Sequence, residues 1–474
     1  MMPNDRGGRG RAFRGLAVAF AGIVLVVLAG LAWGPLASSS SSTRPPTAGG
    51  GAAAAAGSGA PGASQATSPS APGSPGPSSG SPGPSGSPSP ALIAERLQRT
   101  LDAVRAKLSI PGVSVAIIWD DGRTWTGASG LRNVATGDPM TPGTAFALAS
   151  ISKTFTAAVV LQLVEEGRLG LDQAVAPLLP QFKLDRRITV RMLLDHTSGL
   201  PDFFYGKGID AALQRAKGAT WSPLKSWSFV PSPHATPGKS WYYSNTNYLL
   251  LGELVTAVTG RPLATEIRTR LLDPLGLSTA YYQAVEQPRE TGTLAYLLIP
   301  RSGGGWTPKL VAPASGVMPF RSVVTAAGGA GSMAATALDT ARWMRAWAGG
   351  AVLDAMTQAE MLGDVARTVK LHARIPYGLG IQRVTLNGYT ALGHSGRYLG
   401  VQNVVRYLPD AGITIAVLTN QSVWDPTRIA SALLKVVLPA PAPSPSPSPV
   451  PGTSGPAAPS GSLGPSASPA ASVP

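Results

Sequence analysis

Ser150 and Lys153 stand three residues apart at the start of a predicted helix that runs to Glu166. Residues with this spacing lie side by side on a helix, so we expect the amine of Lys153 beside the hydroxyl of Ser150. A serine becomes a good nucleophile when a neighbouring base takes its proton, and a lysine kept neutral by burial can be that base. Free N–H groups at a helix start also favour developing negative charge. The pair therefore predicts acyl transfer through Ser150.

The spacing alone is a weak signal, because the chain is rich in serine. A second pair, Ser222 and Lys225, matches the pattern equally well, but Pro223 and its surroundings predict a loop. Residues 76–80 (GPSSG) fit the pattern of a nucleophile elbow, yet they lie in sequence that we expect to be disordered. Other residues must therefore single out Ser150.

A tyrosine and an asparagine supply further context. Tyr243 and Asn245 flank Ser244 directly before an apolar helical pattern, TNYLLLGELVTAVTG. A phenol can move a proton, and an amide can hold a substrate carbonyl. Each residue also has an ordinary interpretation, Tyr243 as a core aromatic and Asn245 as a helix cap.

A histidine and a glycine occur just before a strand-like run near the end of the chain. His394 can donate to a substrate carboxylate or assist proton transfer, and Gly396 allows a backbone to approach closely. The ordinary interpretation of His394-Ser395-Gly396 is a turn.

Taken in order, these residues resemble a known set of motifs. They match the three signature elements of the penicillin-recognising serine hydrolases, in the branch of class C β-lactamases, serine D-alanyl-D-alanine carboxypeptidases and related esterases: Ser150-x-x-Lys153, Tyr243-x-Asn245 and His394-x-Gly396. The resemblance extends over residues 92–437, through IPGVSVAIIWDDG, FALASISKTFTAAVVLQLVEEGRLGLD, ITVRMLLDHTSGLPD and PGKSWYYSNTNYLLLGELV.

The resemblance implies an acyl-enzyme mechanism. Ser150 would attack a carbonyl, with Lys153 and Tyr243 sharing the general-base work, and Tyr243 would protonate the leaving group before water releases the acyl group. Asn245 would position the substrate amide. Further substrate contacts are implied at His394, Ser395 and Gly396, with an oxyanion hole formed by the backbone N–H groups of Ser150 and Arg397. The segment 196–199 (HTSG) is also similar to the family, and we interpret it as structural.

The third element departs from the β-lactamase pattern. It is His-Ser-Gly, whereas class C β-lactamases typically have Lys-Thr-Gly, and neither Lys-Thr-Gly nor Lys-Ser-Gly occurs in the chain. A histidine at this position is more similar to the pattern of the carboxypeptidase and esterase members of the family. Arg397 and Tyr398 either narrow the acyl pocket or supply a partner for a carboxylate.

Four hypotheses about function follow. We favour an exported serine hydrolase, most similar to a D-alanyl-D-alanine carboxypeptidase or an esterase. The alternatives are a β-lactamase proper, and a non-catalytic protein that binds or senses the cell wall. A structural spacer is a further reading of the low-complexity arms. Intact Ser150, Lys153 and Tyr243 favour the enzyme, because a protein that only binds does not need all three.

The elements that must position these residues predict a mixed α/β (α+β) fold. A helix is expected over 92–108, followed by a hairpin, SVAIIWD and RTWTGASG, around Asp121-Gly122. Two strands, VVRYLP and ITIAVLTN, and a helix over about 426–437 end the domain. An antiparallel sheet built from both ends and flanked by helices would then enclose an inserted, mostly helical lobe. Its sequence, about 170–320, shows no clear strands.

The flanks define the domain boundaries. Residues 1–37 hold four arginines before an apolar run over residues 16–33, which fits a cleaved signal or a retained anchor. Residues 38–91 and 439–474 are Ser-, Pro-, Gly- and Ala-rich and predict a disordered linker and tail. The hydrolase domain is therefore 92–438, on the outer side of the membrane, either secreted or anchored.

Composition excludes several classes of function. The net charge is +15, but basic residues are not interleaved with aromatics, so we expect no nucleic acid partner and favour the anionic cell envelope. Without cysteine the chain has no disulfide and no thiol nucleophile. Its four histidines lack metal-ligand spacing, and no phosphate-binding glycine motif occurs, so we expect no metal and no cofactor. Expected partners are a small-molecule or peptidoglycan-peptide substrate, with β-lactams as further candidates.

Overall fold

The computed structural model describes residues 89–233, 235–311 and 317–438. The predicted signal or anchor, the predicted tail and all but the end of the predicted linker lie outside the described residues. None of the described helices combines the length and the apolar character that a bilayer crossing requires.

Along the chain, a helix and a hairpin come first, a mostly helical middle follows, and a second set of strands comes near the end. The strands are β1 (Gly112–Trp119), β2 (Thr124–Asn133), β3 (Asp138–Pro139), β4 (Phe146–Ala147), β5 (Tyr281–Tyr282), β6 (Tyr296–Pro300), β7 (Trp306–Leu310), β8 (Met333–Ala335), β9 (Gln382–Leu386), β10 (Tyr389–Tyr398), β11 (Val401–Leu408) and β12 (Ile413–Thr419). The helices are α1 (Pro90–Lys107), α2 (Ser152–Glu165), α3 (Val190–Leu194), α4 (Ile209–Arg215), α5 (Pro223–Trp227), α6 (Asn245–Thr259), α7 (Leu263–Ile267), α8 (Arg321–Ala327), α9 (Ala337–Ala348), α10 (Ala355–Lys370) and α11 (Thr427–Val437).

The main sheet joins both ends of the domain, as the sequence predicts. Its order is β3-β2-β1-β12-β11-β10-β9, with every neighbouring pair antiparallel. The central pair joins β1 to β12, with Val115 opposite Val417. The predicted mixed fold, an antiparallel sheet flanked by helices, is therefore confirmed.

Apolar side chains cover both faces of this sheet. Val113, Val115 and Ile117 of β1 lie with α1 and α11 in one buried cluster, whereas Ala116 lies with α2, α6 and α9 in the other. Successive residues of a strand point to opposite faces, so a fully apolar strand such as β1 is buried on both. The second cluster is the layer in which α2 is anchored, because the ring of Phe155 stacks on the α9 residue Trp343 at 4.1 Å between centroids.

The middle of the chain contains strands, so the expectation of none there is wrong. β6 and β7 pair as a hairpin, and β5 pairs with β8. β7 carries Pro308 and Lys309, which are residues that strands disfavour, and its pairing with β6 across a glycine-rich turn makes it a strand. The pairing of β5 with β8 is long-range, and pairing of that kind has no signature within the strand itself.

The second Ser-x-x-Lys pair lies at the start of a helix, not in a loop. The hydroxyl of Ser222 accepts a hydrogen bond from the backbone N–H of Lys225, and Pro223 is the first residue of α5. Proline is favoured at this position because the first helical N–H needs no partner within the helix. The amine of Lys225 lies 4.3 Å from the ring centroid of Trp221, so the pair caps and packs the helix.

Candidate active site

Ser150 and Lys153 lie beside each other at the start of α2. Ser150 is in the 3₁₀ turn Ala149–Ile151, and Lys153 is in the first turn of the helix that follows. The amine Nζ of Lys153 is 3.0 Å from Ser150 Oγ. The hydroxyl and the amine are therefore within hydrogen-bonding distance, as their spacing predicts.

The backbone at Ser150 is held in an unusual conformation by β10. Ala149 has a φ of +49°, in the left-handed region that costs a residue with a Cβ about 1–2 kcal/mol. A Cβ at Gly396 would lie 2.1 Å from the carbonyl oxygen of Leu148. Gly396 is therefore needed because the chain's own backbone approaches it, which brings β10 directly against the turn that carries Ser150.

Lys153 is fully buried and has three hydrogen-bond acceptors. Besides Ser150 Oγ, its amine donates to Asn245 Oδ1 at 2.7 Å and to the carbonyl oxygen of Ala330 at 2.9 Å. Burial lowers the pKa of Lys153 to about 7, and the charge of Asp202 acts in the opposite direction. A substantial fraction of this amine is therefore neutral near pH 7, where an ordinary lysine is almost fully protonated.

Asn245 begins α6 and is held at both ends of its amide. Its Oδ1 accepts from Lys153, and its Nδ2 donates to Asp202 Oδ2 at 2.6 Å. One N–H of this amide nitrogen remains for another acceptor, since an amide carries two. The predicted contact of Asn245 with a substrate amide stays a prediction.

Tyr243 lies next to this group and is protonated at neutral pH. Its ring centroid is 5.0 Å from Lys153 Nζ and 4.3 Å from the ring centroid of His196. Burial raises the pKa of Tyr243 well above its usual value, and a hydrogen bond with Ser150 opposes that rise. A neutral phenol carries a proton that it can donate, and a role for Tyr243 as acid or base stays a prediction.

His196 supports Tyr243 from a buried position. Its Nδ1 accepts the backbone N–H of Ser244 at 3.2 Å, and burial lowers its pKa well below the usual value. A neutral ring wedged between aromatic side chains agrees with the structural interpretation of the segment 196–199.

His394 has a partner on each ring nitrogen. Nδ1 lies 2.6 Å from the carbonyl oxygen of Ser395, and Nε2 lies 2.9 Å from the hydroxyl of Tyr377. A carbonyl only accepts, so Nδ1 carries the proton and Nε2 accepts from Tyr377. Burial lowers the pKa of His394 to about 3, so the ring is neutral. A role for His394 toward a substrate stays a prediction.

The other two predicted substrate contacts also have partners within the chain. The hydroxyl of Ser395 donates to Gln382 at 3.3 Å, and the guanidinium of Arg397 donates to the carbonyl oxygen of Ser422 at 3.1 Å. Arg397 remains exposed at the end of β10. The hydroxyl of Tyr398 donates to the carbonyl oxygen of Gly331 at 2.9 Å.

Several residues of the site were not singled out by sequence reasoning. Asp202, Tyr377, Tyr248 and the carbonyl of Ala330 all contact predicted site residues or lie beside them. A faint local signal exists for Asp202, which precedes a short helical turn, since aspartate is a favoured N-cap. No spacing rule connects positions 202, 330 and 377 with 153, because tertiary packing alone brings them together.

Among the described residues no three His, Asp or Glu side chains are grouped in a way that could hold a metal ion. Of the four histidines, His234 lies outside the described residues. The chemistry that the grouped residues can perform is proton removal from Ser150 by a neutral amine, followed by attack of its oxygen on a carbonyl.

Comparison with known proteins agrees with this chemistry. Residues 97–437 match the family model described as Beta-lactamase. Penicillin-binding protein 4 of Amycolatopsis lactamdurans is 30% identical over 343 residues, which cover 69% of this chain and 85% of that protein. D-aminopeptidase of Brucella canis is 30% identical over 194 residues, but these cover only 40% of this chain and 36% of the relative.

A solved structure shares the fold over the same region. The D-stereospecific amidohydrolase from a Streptomyces species superposes with a TM-score of 0.60 and is 29% identical. The match covers 72% of this chain and 98% of that protein.

Proposed function

Because this chain belongs to the beta-lactamase family of penicillin-recognising serine hydrolases, we propose that it hydrolyses amide bonds beside D-amino acids through an acyl-enzyme at Ser150. The type that we favour is an exported enzyme similar to D-alanyl-D-alanine carboxypeptidases. The observation that carries the mechanism is the buried amine of Lys153, 3.0 Å from Ser150 Oγ.

The first step is proton transfer from Ser150 to Lys153. Neutral Lys153 keeps two N–H groups, which Asn245 and Ala330 accept, and its lone pair then faces Ser150. The serine oxygen attacks the carbonyl as its proton passes to Nζ, and the negative charge develops on the carbonyl oxygen. The start of the turn at Ser150 and the adjacent backbone of β10 supply the N–H groups for that charge in this proposal.

The second step is departure of the amine. Tyr243 donates its phenolic proton to the leaving nitrogen and regains a proton from Lys153, which restores the neutral lysine. Water then attacks the ester carbonyl carbon while Lys153 takes one of its protons. The bond between that carbon and Ser150 Oγ breaks as Lys153 returns the proton to the serine oxygen, which releases the carboxylic acid. Lys153 serves as the base and Tyr243 as the acid, a division that follows from the opposite shifts in their pKa values.

The relatives support the choice of substrate. One is a penicillin-binding protein matched along most of its length, and two others are named D-aminopeptidase and D-stereospecific amidohydrolase. The His-Ser-Gly element supports a peptidase over a β-lactamase. The exposed Arg397 is a candidate partner for the carboxylate of a peptidoglycan peptide.

Export is proposed from the N-terminal sequence. Four arginines followed by the apolar run of residues 16–33 support insertion into a membrane with the domain outside. Cell fractionation of the full-length chain, with external protease added to intact cells, tests this placement. A domain protected from the protease in intact cells would contradict it.

Intact-mass spectrometry of the purified full-length chain tests the reaction. The protein is incubated with diacetyl-lysyl-D-alanyl-D-alanine, a penicillin and an activated short-chain ester, with Ser150→Ala alongside. We expect release of D-alanine, and a persistent penicillin adduct, both lost in Ser150→Ala.

Other outcomes identify other functions. Rapid release of opened penicillin would indicate a β-lactamase, and turnover of the ester alone would indicate an esterase. No adduct and no turnover with any of the three probes would contradict the proposed enzyme and favour a wall-binding protein.

A further inference from the structure

Asp202 is a buried carboxylate that accepts three N–H groups. It is only 3% exposed and lies between Pro201 and the 3₁₀ turn Phe203–Tyr205. Its Oδ1 accepts from the backbone N–H of Phe204 at 3.0 Å. Its Oδ2 accepts from both the backbone N–H of Asn245, at 3.2 Å, and the side-chain nitrogen Nδ2, at 2.6 Å. Both carboxylate oxygens are therefore engaged by donors.

This carboxylate determines which way the amide of Asn245 points. An ionised carboxylate accepts hydrogen bonds and cannot donate them, so the amide end that faces Asp202 must be the nitrogen. The amide oxygen then faces Lys153, whose amine lies 2.7 Å away. A flipped amide would place its oxygen against the carboxylate, which is unfavourable. Its N–H groups would then repel a protonated Lys153 or engage the lone pair of a neutral one.

The orientation of Asn245 in turn determines where the lone pair of Lys153 points. Asn245 and Ala330 each accept one N–H of the amine, and Ser150 occupies the third direction. Resting on the function proposed for Ser150 and Lys153, we propose that Asp202 is a positioning residue that aims the Lys153 lone pair at Ser150 through the amide of Asn245. Within the part of the chain that the structure describes, Asp202 forms no hydrogen bond with Ser150 or Lys153.

Asp202 also has an electrostatic effect on Lys153. The ionisable groups that face Lys153 come from several elements: Tyr243 and Tyr248 from α6 and the segment before it, His196 from the segment after α3, His394 from β10, and Asp202. Glu266 of α7, which packs against α2, is paired with Arg261 and Arg270. Among these groups Asp202 is the carboxylate that raises the pKa of Lys153.

The protonation state of Asp202 itself depends on opposing effects. Burial raises the pKa of Asp202 above its usual value, and hydrogen bonds from Phe204 and Asn245 and the charge of Lys153 reduce that rise. The amide of Asn245 separates the carboxylate from the amine, so the two charges influence each other without forming a direct ion pair that would keep Lys153 protonated.

The variant Asp202→Asn tests the proposal. An asparagine has nearly the same shape as aspartate. Its NH₂ group, however, would face one of the N–H groups that donate to the Asp202 carboxylate in the wild type, so that hydrogen bond would be lost. We expect the rate of Ser150 labelling at high pH to fall about tenfold. Without the carboxylate, protonated Lys153 is less stable, so the acidic limb of the pH profile should move to lower pH by about one unit.

The measurement is covalent labelling by a fluorophosphonate, followed by intact mass in the full-length chain between pH 5 and pH 9. Asp210→Asn in α4 is the matched control, since it removes one carboxylate from the neighbouring helix without any hydrogen bond to Asn245. The control variant should keep the wild-type rate of Ser150 labelling and the wild-type position of the acidic limb. An unmoved limb in Asp202→Asn would overturn the positioning role, because a merely structural defect lowers the rate without shifting the limb.

The experiment distinguishes failure of the proposed function from failure of the role proposed for Asp202. If the wild type is not labelled at Ser150, the nucleophile itself is wrong. If the wild type is labelled and Asp202→Asn follows the same profile, only this inference fails. Should Asp202→Asn not fold, as judged by circular dichroism, Asn245→Leu tests the same link, and a wild-type labelling rate in that variant would overturn it.

Discussion

Two groups of charged residues in this protein contrast in how closely their charges approach. Around Lys153, the amide of Asn245 separates the amine from the carboxylate of Asp202. In the Arg191 cluster (Asp172, Arg191, Asp195, Glu360, Asp364 and Arg367), cations and carboxylates are in direct contact. Arg191 donates to Asp172 at 2.9 Å and to Glu360 at 2.6 Å, and Arg367 pairs with the buried Asp195.

The spacing of charges decides their chemistry. Hydrogen bonds from Arg191 hold the pKa of Asp172 below its usual value, and although burial acts to lower the pKa of Arg191, its carboxylate partners raise it. Asp172 and Arg191 therefore keep their charges near neutral pH, whereas burial raises the pKa of Asp364 to about 6. At Lys153 burial outweighs the distant carboxylate, and the amine titrates near pH 7. An ion pair stabilises the charged form, whereas an intervening amide leaves a group that can exchange a proton.

Removing the amine should have the largest effect. Lys153→Met keeps the length of the side chain and removes the base, so we expect Ser150 labelling by a fluorophosphonate to fall by about 10³-fold or more. Lys225→Met is the matched control, because Lys225 belongs to the second Ser-x-x-Lys pair and packs on Trp221. Equal losses in both variants would contradict the distinction between the two pairs.

The pH dependence of the wild type should show the titration of Lys153. Only the neutral amine accepts the serine proton, so the labelling rate should be constant above about pH 7 and fall about tenfold for each unit below it. His394 does not account for this limb, since burial holds its pKa at about 3. A midpoint of the acidic limb near pH 10, which is typical of an exposed lysine, would contradict the lowered pKa of Lys153 and with it the contrast to the Arg191 cluster.

Breaking the Arg191 cluster should change stability and leave the chemistry intact. Arg191→Met leaves the buried Asp364 without a hydrogen-bond donor from Arg191, so we expect the free energy of unfolding to fall by about 2 kcal/mol. Urea denaturation measures the loss. The midpoint of the acidic limb should not move, and a shift of that midpoint would show that the two groups are coupled.

The smallest effect is expected at an exposed ion pair. Arg187 and Asp185 form a direct pair on the surface, where solvent screens the attraction. Arg187→Ala should therefore leave the thermal midpoint and the labelling profile unchanged. A clear drop in the midpoint would mean that direct pairing stabilises the fold even without burial.

The sequence predicted the elements that carry strong local patterns. The hairpin around Asp121-Gly122 and the helix after Ser150 follow from turn chemistry and helical spacing, and the structure contains both. The strands β6 and β7 were missed because Pro300 and Pro308, which strands disfavour, mask the signal of the glycine-rich turn between them. Pro223 misled in the opposite direction, since a proline can end one helix and can equally begin another, as Pro223 begins α5.

The sequence by itself determined that Ser150 and Lys153 are neighbours, because one turn of helix joins them. It also indicated the family through motifs that are far apart in the chain. Only the tertiary structure decided that Lys153 is neutral enough to act, that Tyr243 stays protonated and that Asp202 orients Asn245. A pKa depends on burial and on charges from distant segments, and these quantities exist only when the chain is packed.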